Sequence, residues 1–102
     1  MRRPLLTAII YDKRGNILSI GKNSYVKTHP LQAWYARRLG EPTKIFLHAE
    51  LAAIIKCRKA TSASRIAVFR YGKDGTPRNA RPCRICTQAI KEFGIKEIEY
   101  TI

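Results

Sequence analysis

The chain has 102 residues, 20 of them Lys or Arg against 7 Asp or Glu, for a formal charge of +13. A hydrophobic content of 45% supplies a core and excludes intrinsic disorder, which needs low hydrophobicity with high net charge. No apolar run approaches the ~20 residues of a membrane helix, and the short apolar segment after Arg2 and Arg3 lacks the cleavage pattern of a secretory signal. The expectation is one domain spanning residues 1–102, soluble and cytoplasmic. A domain this small has little core to spare, so a staple such as a metal or a homo-oligomer is expected.

Leu5–Tyr11 is predicted as a strand, Asp12 to Asn16 as a turn around Gly15, and Ile17–Ile20 as the antiparallel partner. Gly21–Pro30 is a polar loop containing Asn23 and His29. Leu31, Trp34, Tyr35 and Leu39 recur at helical spacing before Gly40 and Pro42 stop them. That spacing marks Trp34 as a core residue. A stacking role is its alternative, because His29, Trp34, Tyr35, Arg37, Arg38 and Lys44 mix rings and cations within the long Tyr25–Phe46 segment. His48–Ala60 is apolar on most sides and predicts a buried helix. Arg65–Tyr71 is a strand and Gly72–Arg81 a loop. A third helix begins at Pro82, whose missing N–H costs little in a first turn, and ends at Gly94. Lys96–Ile102 alternates as a half-buried strand. The order is β-β-α-α-β-α-β, with a parallel crossover between the last two strands.

The charge is uneven. Residues 92–102 are net −2, and residues 1–91 carry 19 of the 20 basic residues. Basic residues lie in almost every segment, so the field over the whole surface attracts polyanions. Single-stranded DNA or RNA, or a phosphorylated nucleotide, is the expected partner.

The cysteines, Cys57, Cys83 and Cys86, are odd in number, which speaks against a disulfide scaffold. Cys83 and Cys86 are spaced i, i+3 at a helix start, so both sulfurs face one side, and the helix N-terminus favours their thiolates. His48 opens the other helix, and one strand with its loop returns the chain to the same sheet end. His48, Cys83 and Cys86 make three ligands for Zn2+, leaving the fourth position open as in catalytic sites. Cys57 as a fourth ligand would sit more than ~13 Å of helix rise from His48. Glu50, two residues after His48, is placed to move a proton beside the metal, or else only complements the helix dipole.

His48-Ala49-Glu50 followed after a strand by Pro82-Cys83-Arg84-Ile85-Cys86 resembles the zinc-dependent cytidine and deoxycytidylate deaminase superfamily. Within it, the chain resembles the branches acting on tRNA adenosine and on polynucleotide cytidine. Ala53-Ile54 and Ile90 also fit the pattern, and the likeness runs from about Leu5 to Ile102. It implies a three-layer α/β/α sandwich and hydrolytic removal of an exocyclic amine, by zinc-bound hydroxide attacking C4 of cytosine or C6 of adenine. His48, Cys83 and Cys86 would hold the zinc, and Glu50 would relay the proton. Asn23 would contact base or sugar, a turn role being its alternative. The Ala49 N–H would meet a base carbonyl.

The pattern departs from the family in two places. Asn79-Ala80-Arg81 precedes the Pro-Cys pair, so Arg81 and Arg84 bracket Cys83. They are either phosphate contacts or a surface pair. The fold is also expected to be truncated after the fourth strand, with a second subunit expected to complete the free edge. Three activities remain open. One is a nucleobase deaminase acting within single-stranded DNA or RNA. The second is a deaminase of a free nucleoside or nucleotide such as cytidine or dCMP, with Arg81, Arg84 and Lys27 on its phosphate and His29 near sugar or phosphate. The third is a non-catalytic, zinc-stabilised nucleic-acid-binding module.

Overall fold

The structure, a computed structural model, describes residues 5–41, 45–72 and 74–102, with Ala60 described by its backbone alone. Arg2, Arg3, Pro42 and Lys44 lie outside the described residues. The elements are β1 (Leu6–Tyr11), β2 (Ile17–Lys22), α1 (Pro30–Arg38), α2 (Ala49–Lys56), a 3₁₀ turn (Ala60–Ser62), β3 (Arg65–Arg70), α3 (Arg84–Phe93) and β4 (Glu97–Tyr100). The sheet order is β2-β1-β3-β4; β1 is antiparallel to β2 and β3, and β3 is parallel to β4. The expected α/β class, element order and parallel crossover are all present.

Asp12 closes the β1–β2 turn by accepting the N–H groups of Arg14 and Asn16, each at 2.9 Å, and Gly15 supplies the positive φ of +86°. The register pairs Ala8 with Gly21 and Ile10 with Ser19, and on the other side Ala8 with Val68 and Ile10 with Ile66. Ala8, Ile10, Ile66 and Val68 therefore share one face, and all four are fully buried. α2 lies on this face. Ser19 donates its hydroxyl to the Ala53 carbonyl at 2.8 Å. Gly21 has no Cβ; one would run into the Ala53 nitrogen and the Ala49 carbonyl oxygen. α3 packs beside α2 with Ile85, Cys86, Ala89 and Ile90 turned inward.

Of the three expected layers, the described residues supply two. On the opposite sheet face Ala67 is buried, Ile9 and Phe69 are half-buried and Ile20 is exposed, with no described helix over them. The shortest principal axis is 19 Å, the depth of a sheet and one helical layer.

Other expectations need correcting. α2 ends at Lys56, not Ala60, because the chain turns through Ala60–Ser62 to re-enter the sheet, where the Ser64 N–H meets the Tyr11 carbonyl. Pro82 precedes α3 rather than opening it, since Cys83 is the N-cap. β4 is exposed along its length: it is the sheet edge, so Ile98 beside Ile66 and Tyr100 beside Val68 are only partly covered. Trp34 is 45% exposed and stacks under the Arg38 guanidinium; Tyr35 occupies the core in its place. Helical spacing marks a stripe wider than the buried one, and the neighbouring ring took the inward position.

Candidate active site

His48 and Cys83 are both helix N-caps, in extended backbone conformation, and neither spends its side chain on capping. Their carbonyls accept the first helical bonds, from Ala52 at 2.9 Å and Thr87 at 2.8 Å. Their side chains instead meet across the gap between the two helix starts. His48 Nδ1 lies 3.4 Å from Cys83 Sγ and 3.2 Å from Cys86 Sγ, and the three donor atoms all lie within 4.8 Å of one another. Ligands of a tetrahedral zinc with Zn–S of about 2.3 Å and Zn–N of about 2.0 Å stand about 3.6 Å apart, so this donor set matches the ion in both number and spacing. Cys57 caps the far end of α2 and is outside the cluster.

The cysteines are unequal. Cys83 is held as the thiolate, its pKa lowered to about 4, chiefly by the hydrogen bond from Cys86 and further by His48. Cys86 is buried and its thiol is pushed upward, because it donates to Cys83 and lacks water around it. Glu50 is only 4% exposed, and burial raises its carboxyl pKa. A desolvated acid with a raised pKa beside a metal-type cluster is a group fit to accept and return protons.

These residues open onto a cavity of about 470 Å³. Asn23, Ala49, Glu50 and Arg81 line it together with His48 and Cys83. Asn23 is tied to the sheet, its Oδ1 accepting the Leu6 N–H at 2.8 Å. Two other expected residues are placed elsewhere. His29 caps α1, its Nδ1 accepting the Leu31 N–H at 3.0 Å, and is not in the cavity lining. Arg84 donates to the Leu39 carbonyl at 3.2 Å and lines a neighbouring depression that Arg81 also borders. Sequence reasoning missed Tyr25 and Phe46, which form aromatic walls. An isolated bridge pairs Thr28 with Phe46, a long-range contact that no local motif announces.

A His-Cys-Cys donor set at two facing helix starts, with a buried carboxylate and an open cavity, marks the chain as an α/β domain with a zinc-type site. The full motif assigns it more narrowly. The chain matches the cytidine and deoxycytidylate deaminase zinc-binding region over residues 2–102 and belongs to that family. The His48, Cys83 and Cys86 cluster is compatible with the zinc that this region binds. Thirteen solved chains match. One is the guanine deaminase of Bacillus subtilis, with 23% identity, a TM-score of 0.49 and coverage of 93% of this chain. The chain spans 48% of that enzyme's chain. A search of curated proteins finds no match. Among the described residues, no helix is long and apolar enough to cross a membrane.

Proposed function

We propose that residues 1–102 act as one deaminase domain that removes the exocyclic amine of a nucleobase, cytosine or adenine, within single-stranded DNA or RNA. The observation that carries this reading is the buried Glu50 carboxyl beside the His48, Cys83 and Cys86 donors. When bound by these three residues, zinc lowers the pKa of water from ~15.7 to near ~7. Glu50 handles the protons. Its carboxylate accepts one from the attacking water, donates it to the ring nitrogen next to the reacting carbon, then takes the remaining hydroxyl proton and gives it to the departing amine. The product is the ring carbonyl and ammonia. Tyr25 and Phe46 supply flat apolar walls for a base, and the Ala49 N–H and the Asn23 amide are the polar groups that orient it. Arg81 at the cavity is placed for a backbone phosphate.

The net charge of +13 favours a polymer. Deamination of a free nucleotide is the second reading, and Arg81 in the cavity lining is what supports it. Its proposed phosphate cluster is weakened, because Arg84 is engaged at Leu39. The test is a panel of cytidine, dCMP, adenosine, single-stranded DNA and tRNA, scored by the mass change on exchanging an amino group for oxygen. Conversion of the polymers is expected, and it should be abolished in Glu50→Ala with zinc content unchanged. Conversion of the monomers alone would select the second reading. Polymer binding without conversion, indifferent to Glu50→Ala, would leave a zinc-stabilised binding module.

A further inference from the structure

Gln32 is a fully buried polar side chain on α1, an element that carries none of the three donor residues. A buried amide destabilises a fold unless its polar atoms are paired, so the partner of Gln32 says what it does there. Gln32 Oε1 accepts the backbone N–H of His48 at 3.3 Å. That N–H belongs to an N-cap and so has no partner within α2. The main chain carrying the imidazole is therefore held from outside its own helix.

The same short helix is fastened to α3. Tyr35 donates its hydroxyl to Glu92 at 3.1 Å, and Arg38 pairs with Glu92 at 3.4 Å. Arg84, the residue after Cys83, donates to Leu39 just past the end of α1. Thus α1 spans the two helices that carry opposite halves of the donor set. We infer that Gln32 is a positioning residue: through the His48 main chain it fixes the imidazole against Cys83 and Cys86 and so sets the affinity and geometry of the metal site. The inference rests on the reading of those three residues as zinc ligands.

The test is Gln32→Met, which keeps the length and bulk of the side chain and removes the accepting oxygen. Zinc affinity is measured by competition with a chelator, and site geometry from the visible absorption bands of the Co2+-loaded protein. Affinity should fall about tenfold, as for other outer partners of metal ligands, and the Co2+ bands should shift even at saturating metal. Arg37→Ala, an exposed change on the same helix, should alter neither. Wild-type affinity and bands in Gln32→Met, alongside a zinc-defective His48→Ala, would overturn this inference alone. Unchanged zinc affinity in His48→Ala would instead overturn the ligand reading beneath it. Should Gln32→Met not fold, amide exchange in the wild-type protein decides. The His48 amide should be protected with and without zinc, and exchange at the rate of an open loop would refute the role.

Discussion

At the scale of single residues, the site depends on contrasts between neighbours. Cys83, half-buried, is the ready thiolate; Cys86, fully buried, is the thiol that supports it until a metal takes both. Removing either leaves two donors, too few for a stable zinc site. Added zinc should raise the melting temperature of the wild-type protein, because a ligand of the native state stabilises it by mass action. The same addition should leave Cys86→Ala unmoved in a thermal scan. A full zinc-dependent shift in that variant would mean the ion binds elsewhere. The motif residues were legible in the sequence because their spacing is local: two helix starts each display their side chains within one turn. Gln32, Tyr25 and Phe46 were not. Gln32 and Phe46 make their contacts across the chain, Gln32 to His48 and Phe46 to Thr28, and no motif marks any of the three in its own neighbourhood.

At the scale of elements, α2 is the piece that couples core and chemistry, and its seat on the sheet is made by Gly21. A methyl group at that position would collide with the α2 backbone at Ala49, Ala52 and Ala53, which cannot rotate away as a side chain would. Gly21→Ala should cost about 3 kcal/mol, at the upper end of overpacking changes, and should also weaken zinc binding because His48 moves with the helix. Denaturant unfolding would read the first effect and metal competition the second. A neutral outcome would mean that α2 stands further from β2 than described. The β1–β2 turn has its own signature. The Asp12 carboxylate sits below its ordinary value of 3.8, chiefly through the backbone and side-chain hydrogen bonds from Asn16. A depressed acid contributes stability that is complete above the unfolded pKa and is lost as pH falls through the folded one. The stability gap between wild type and Asp12→Ala should therefore be constant above about pH 5 and narrow steadily below pH 4. The hairpin, the crossover and both ligand-bearing helices were visible as periodicity. The reach of the layers was not, since alternation in β4 reports which residues share a face and says nothing about whether a helix covers that face.

At the scale of the whole molecule, charge governs how a substrate is met. The acidic residues are few and several are engaged: Glu92 with Tyr35 and Arg38, Glu99 with Arg65, Asp74 with Arg78. Most cations have no such partner available, as 20 face only 7 acids. An anionic polymer therefore meets an excess positive field from most directions, whereas a mononucleotide presents its charge at one point near the cavity. The two substrate classes consequently differ in salt response. Binding of single-stranded oligonucleotide should weaken steeply with ionic strength, with a log–log slope of about −2 or steeper if three or more phosphates are neutralised. Arg81→Ala should flatten that slope by about 0.7, the share of one phosphate contact. A slope near zero, with tight binding retained at high salt, would show that the charge plays no part in recognition and that the cavity alone selects its ligand. A steep slope that Arg81→Ala leaves untouched would instead place the polymer's path away from the cavity mouth.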